Sequence, residues 1–145
     1  MTDLTVWMER LYEDVSWQKI PVVMTPEEEM RMLSRCLAKG IEFMFIAVGK
    51  GAAFDPSWLI YDAVGVLSAC TQDLNLDELT YAYTRAEIEF FKQVQTDVNN
   101  IVGYTTDALT VTNADKPYQN LAQTIDRLEK DLRQIFYTMI RHAYL

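Results

Sequence analysis

Apolar residues recur at steps of three and four positions over most of this chain. The spacing holds through residues 4–15, 30–48, 76–101 and 118–142. Such steps put the apolar side chains on one side of an α-helix, which can then pack against other helices. The pattern predicts a mainly helical protein in which three of the helices are about 25 residues long.

A fifth segment, residues 56–70, is apolar on every side. Only Asp62, Gly65 and Ser68 interrupt it between positions 58 and 70, and Asp55 precedes it as a helix-capping residue followed by a proline. A helix without a polar face must be enclosed by other elements. We therefore expect residues 56–70 to form a central helix around which the others pack.

Local signals mark where two of the helices begin. Thr25 and Glu28 form a capping-box pattern, with Pro26 in the first helical position, and Asn75 and Glu78 form a second one. In this pattern the two side chains bind backbone N–H groups that have no partner inside the helix. We expect one helix to start directly after Thr25 and another directly after Asn75.

Gly40 raises a choice about the second helix. It either ends that helix, leaving residues 41–48 as a buried strand, or lies inside a helix that continues through them. Leu37, Ile41 and Met44 keep the helical spacing across the glycine, which a strand would not do. The spacing favours one helix, in which Gly40 marks a kink or a close contact with another helix.

These elements predict an all-α fold, an elongated bundle of about five helices in a single domain, residues 1–145. Residues 117–145 form the long C-terminal helix, which projects from the bundle. A chain of 145 residues is near the usual size of one domain. The polar stretch 104–116 has no periodicity, so we expect an exposed loop there that is either a contact loop or a plain surface loop.

The formal net charge of −8 limits the partners of this chain. Affinity for nucleic acid depends on lysine and arginine side chains that neutralise phosphates, so we expect no specific nucleic-acid binding. The longest apolar runs are shorter than the roughly 20 residues that a membrane helix needs, and no basic region followed by an apolar run opens the sequence. We expect no membrane association and no secretion signal.

No combination of residues predicts catalysis, a metal site or a bound cofactor. His142 is the only histidine, and Met139 stands where a di-iron Glu-x-x-His site needs its glutamate. Cys36 and Cys70 lack partners at zinc-binding spacing, so we expect buried, reduced thiols. We expect Asp62 to pair with a basic residue of the second helix, with a functional role as the alternative. The chain is therefore expected not to be an enzyme.

The end of the last helix is apolar or aromatic on more than one side. An exposed apolar patch of this size usually marks an interface with another protein. The candidate partner interface comprises Phe136, Tyr137, Ile140, Tyr144 and Leu145.

The order of these elements resembles the adaptor or connector proteins of tailed-bacteriophage necks, small all-helical subunits that form a ring beneath the portal. Four features carry the resemblance: the Thr25-Pro26-Glu27-Glu28 start of a long helix, the loop from Gly49 to Asp55, the apolar third helix, and a C-terminal helix that ends in aromatic residues. In that family the C-terminal region docks on the portal, which would assign this role to residues 136–145.

The resemblance implies a structural virion protein, a head-to-tail connector that forms a homo-oligomeric ring. Its partners would be a portal and tail or neck proteins. It would be made in the host cytoplasm and then become part of the neck of the virion. An acidic ring also suits a DNA conduit, because it repels phosphate and does not trap a passing genome.

The net charge leaves a second interpretation open, an acidic helical inhibitor of the antidefence or antitoxin type that binds a basic target protein. Such a protein would concentrate aspartate and glutamate on one surface. Here Arg31, Arg35 and Lys39 share a helix with Glu27 and Glu28. The mixed charges favour the connector interpretation over the inhibitor.

Overall fold

A computed structural model describes residues 1–16, 25–48, 54–104 and 115–144 of the chain. Within these residues the elements are β1 (Thr2–Asp3), α1 (Thr5–Ser16), α2 (Pro26–Val48), a 3₁₀ turn (Pro56–Trp58), β2 (Leu59–Tyr61), β3 (Leu67–Cys70), α3 (Leu76–Tyr104) and α4 (Asp115–Tyr144). The strands form one antiparallel sheet in the order β1-β3-β2. The described part of the chain is thus mostly helical, but it is neither purely α nor built from five α-helices.

The four helices with a one-sided apolar pattern are confirmed. In particular, α2 is unbroken, so Gly40 lies inside a helix and no strand forms at residues 41–48. A Cβ atom on Gly40 would lie only 2.2 Å from the carbonyl oxygen of Ala82 in α3. Gly40 is therefore the place where the backbones of α2 and α3 approach each other. The predicted loop 104–116 lies almost wholly outside the described residues.

Both predicted capping boxes mark the start of a helix. Thr25 Oγ1 accepts a hydrogen bond of 3.2 Å from the Glu28 N–H at the start of α2. At the start of α3, Asn75 Oδ1 accepts from the Glu78 N–H over 2.8 Å, and the Asn75 N–H donates to Glu78 Oε1 over 3.2 Å. The side chains thus satisfy N–H groups that the helices leave unpaired.

The prediction of a central helix at residues 56–70 is wrong. Asp55 does cap a helical turn, since its Oδ1 accepts a hydrogen bond of 2.9 Å from the Ser57 N–H, but that turn is only three residues long. The chain then forms β2, reverses and returns as β3, with Leu59 opposite Cys70. The segment is therefore a hairpin beside the helices and not the centre of a bundle.

Asp62 and Gly65 explain why this segment reverses direction. Asp62 is exposed, and its Oδ1 accepts hydrogen bonds of 2.9 Å from the N–H groups of Val64 and Val66. Gly65 has a φ of +84°, a conformation that other residues adopt only with strain. The expected pairing of Asp62 with a basic residue of α2 is absent among the described residues, in which its Oδ1 closes the turn.

One buried hydrogen bond fixes the hairpin to α2. The Leu67 N–H donates to Ser34 Oγ over 2.6 Å, and Ser34 is 1% exposed. On the other side of β3, the Leu4 N–H donates to the Ser68 carbonyl over 2.9 Å just before α1 begins. The hairpin is thus held between the beginning of α1 and the middle of α2.

Candidate functional site

The last helix lies antiparallel along α3. Lys92 Nζ in α3 is 3.3 Å from Glu129 Oε1 in α4, and nearer the end of α4 the rings of Tyr81 and Phe136 lie 6.5 Å apart. The inward side of α4 is formed by Leu121, Ile125, Leu128, Leu132 and Met139, which are all buried. The C-terminal end of α4 is therefore attached to the first turns of α3.

His142 lies on the surface, although it continues the apolar spacing of α4. Its side chain is 60% exposed, and its Nδ1 lies 2.6 Å from Asp77 Oδ2 in the first turn of α3. An aspartate is favourable at the start of a helix, because its carboxylate opposes the local charge of the helix dipole. This contact helps to hold the end of α4 at the beginning of α3.

The predicted interface residues divide between the described and undescribed parts of the chain. Tyr137 is 65% exposed and Ile140 is 37% exposed, whereas Phe136 is half-buried between Tyr81 and Tyr137. The Tyr144 side chain and all of Leu145 lie outside the described residues. We use the name docking face for the surface formed by Phe136, Tyr137 and Ile140.

The docking face has the geometry of a helix that binds in a groove. Its three residues stand at positions i, i+1 and i+4, so they share one flank of α4, beside the buried row that packs on α3. Helices that dock into grooves present their anchoring side chains at this spacing. In chemical terms the site offers aromatic and aliphatic contact area and no reactive group.

The structure also has a groove that the sequence analysis did not predict. An open groove of about 540 Å³ lies between the first turns of α1, the first turns of α2 and the turn of the hairpin. Its apolar lining includes Met8, Met30 and Val66. Three carboxylates and one guanidinium also line it: those of Glu9, Glu27, Asp62 and Arg31. The groove depends on the hairpin, and a helix at residues 56–70 would not have formed it.

Charged groups from three helices meet around Glu87 in α3. Arg10 and Asp14 approach it from α1, and Arg127 and Asp131 from α4. Burial, followed by repulsion from Asp14, raises the pKa of the Glu87 carboxyl from the ordinary 4.5 to about 7, against the lowering effect of the two arginines. The cluster links the charge of one side chain to the packing of α1, α3 and α4.

The raised pKa of Glu87 predicts a pH-dependent stability. The pKa of Glu87 is higher in the folded than in the unfolded chain. Its contribution to the free energy of unfolding is therefore complete below about pH 4.5 and is lost as the pH rises to about 7. Glu87→Gln, which mimics the protonated acid, should therefore exceed the wild type in free energy of unfolding by about 2 kcal/mol at pH 8, after allowance for solvent screening. Urea unfolding at pH 5 and pH 8 measures this. Equal stability of the two proteins at both pH values would contradict it.

The cysteines and the possible metal ligands give no further candidate site in the described residues. Cys36 and Cys70 are buried free thiols, and burial raises the pKa of Cys36 to about 12, so it stays protonated and unreactive. The described side chains bring together no group of three or more histidine, cysteine, aspartate or glutamate residues that fits a metal ion. None of the helices in the described ranges has the length and apolarity needed to cross a membrane.

Comparisons with known proteins find no relative of this chain. No protein-family model, curated protein or solved structure matches it.

Proposed function

We propose that this chain is a structural subunit of an oligomeric assembly and that it docks on its partner through the C-terminal end of α4. The observation that supports the proposal is the docking face: Tyr137 and Ile140 are 65% and 37% exposed on a flank of α4 beside its buried row. Neighbouring exposed apolar side chains are typical of protein interfaces, in which aromatic residues are enriched.

In its most specific form, the proposal is a head-to-tail connector ring of a phage neck, with the portal and tail or neck proteins as further partners. The support is the layout resemblance together with a net charge that suits a passage for DNA. In this role the protein needs no catalytic group and no cofactor, and the docking face supplies the contact.

The test is a pair of substitutions on the docking face. The double variant carries Tyr137→Gln and Ile140→Gln. Glutamine has a helix propensity high enough to keep α4 helical, whereas the apolar contact area is lost. We expect association of the chain with itself or with a portal-type partner to weaken at least about tenfold, as when anchoring interface residues are lost. Sedimentation velocity measures the association, and circular dichroism verifies the fold.

Val6→Gln is the matched control, because Val6 is 66% exposed on α1 and lies outside the docking face. It should assemble like the wild type. Point substitutions are preferable to truncation, since Met139 within the same segment is 5% exposed and belongs to the core. A docking-face variant that assembles as well as the wild type would contradict the proposed function.

An acidic inhibitor remains the second candidate, supported by the net charge of −8. It predicts a monomer that binds a basic protein through its carboxylates, with an affinity that falls steeply as salt is added. The docking-face substitutions would leave that binding unchanged, which separates the two candidates.

A further inference from the structure

We propose that the groove between α1, α2 and the hairpin is the acceptor for the docking face of a second copy of this chain, so that copies join head to tail. This inference rests on the proposed function and names the partner of its docking face. It commits to one occupant, the C-terminal end of α4 from a neighbouring copy.

Charge complementarity is the first argument. All 21 acidic residues of the chain lie before position 132, and residues 132–145 contain Arg133 and Arg141 with no aspartate or glutamate. The groove carries three carboxylates and one guanidinium, so its lining is net negative. A basic and aromatic helix end therefore meets an acidic and apolar groove, the arrangement by which charged surfaces select their partner and its orientation.

Size is the second argument. A groove of about 540 Å³ is within the range of roughly 300–1,000 Å³ in which proteins hold small ligands, so it can take a few side chains but not a whole helix. Tyr137 and Ile140 are the exposed, adjacent apolar side chains of the docking face. Their insertion would cover the apolar lining at Met30 and Val66, and the flanking arginines would lie near the carboxylates.

The docking face and the groove lie at different places on α2 and α3. The docking face is held at the start of α3 by the contacts of Phe136 with Tyr81 and of His142 with Asp77. Since Gly40 lies against Ala82 near that start, the docking face is at the level of the second half of α2. The groove instead uses the first turns of α2.

The ten residues from Met30 in the groove to Gly40 alone span about 15 Å of helix. The docking face and the groove are thus separate surfaces formed by different elements, and both are open to a neighbouring copy. Contacts between two different surfaces of identical chains produce closed rings when the rotation per copy closes, and open filaments when it does not.

The experiment uses two full-length variants, each of which has lost one of the surfaces. The docking-face variant is Tyr137→Gln with Ile140→Gln. The groove variant is Glu9→Lys with Val64→Lys, two exposed positions at the groove where lysine repels a basic helix end. Ile46→Gln, which is 65% exposed on α2 away from the groove, serves as the control. Circular dichroism first establishes that all variants fold like the wild type.

Native mass spectrometry and sedimentation velocity are run up to about 100 µM, because a contact of this size is at the weak end of protein interfaces. Each variant alone should be monomeric, whereas the wild type and the control associate. Mixing the two variants should give a one-to-one heterodimer and nothing larger, since only the groove of one and the docking face of the other remain intact.

A groove variant that associates like the wild type would overturn the inference, and the proposed function would still stand if the docking-face variant does not associate. Failure of the mixture to form the heterodimer, when both variants alone are monomeric, would also overturn it. Association of the docking-face variant at wild-type strength would instead contradict the proposed function itself.

Discussion

Gly40→Ala is expected to lower the free energy of unfolding by about 2–3 kcal/mol, although alanine is the better helix former by about 1 kcal/mol. The added Cβ would lie 2.2 Å from the Ala82 carbonyl oxygen and 3.2 Å from the Ala86 nitrogen. Both atoms belong to the backbone of α3, so no side-chain rotation can relieve the clash. The two helices must move apart, and the core between them loosens.

Chemical denaturation of the variant and the wild type measures this effect. Gly65→Ala is the informative control, because the space around Gly65 is open and only its φ of +84° is unfavourable for alanine. That substitution should cost about 1–2 kcal/mol, from backbone strain alone. A Gly40→Ala protein as stable as the wild type would mean that α2 and α3 are not in backbone contact at this point.

Phe90→Ala is expected to lower the free energy of unfolding by about 3–5 kcal/mol. Phe90 is 1% exposed in the interior, and its ring packs edge-on against Phe91 at 5.7 Å. Removing the ring leaves a cavity that the packed helices cannot fill. The matched substitution is Phe43→Ala, since Phe43 is 37% exposed and its ring chiefly meets the Arg85 guanidinium at 4.2 Å.

The Phe43→Ala variant should lose about 1–2 kcal/mol, from the loss of a partly buried ring and of its cation–π contact. Thermal and urea unfolding of the two variants give the comparison directly. If both phenylalanine substitutions had the same cost, the burial of Phe90 in the core would be wrong.

The helices were predictable from the sequence because their signals are local. Apolar spacing and capping boxes act within a few residues, and the side chains of Thr25 and Asn75 make the hydrogen bonds that their positions predict. The continuity of α2 through Gly40 was also predictable, because the spacing on both sides kept one phase. What spacing could not give was the partner of Gly40, since Ala82 is distant in the sequence.

The hairpin escaped prediction because a run of apolar residues does not distinguish a buried helix from paired strands. Two residues do indicate a turn. Asp62 can bind the N–H groups of a turn, and Gly65 can adopt a positive φ. The groove was not predicted either, because its lining residues come from three separate elements and the hairpin is one of them.

The docking face was predictable only in part. Exposed apolar residues at the end of α4 follow from its composition, and Tyr137 and Ile140 are indeed exposed. His142 differs from the apolar pattern because it lies beside Asp77 in the first turn of α3, a carboxylate in place of an apolar surface. Whether a residue at the end of a helix is buried depends on the element that it meets there. The spacing of apolar residues does not reveal that element.

Native mass spectrometry of the wild-type chain across a concentration series tests the central claim most directly, that this protein functions by assembling through the end of α4. The account predicts an assembly with one defined number of copies, which disappears when Tyr137 and Ile140 are both replaced by glutamine. A wild-type chain that stays monomeric at every concentration, alone and with a portal-type partner, would contradict it.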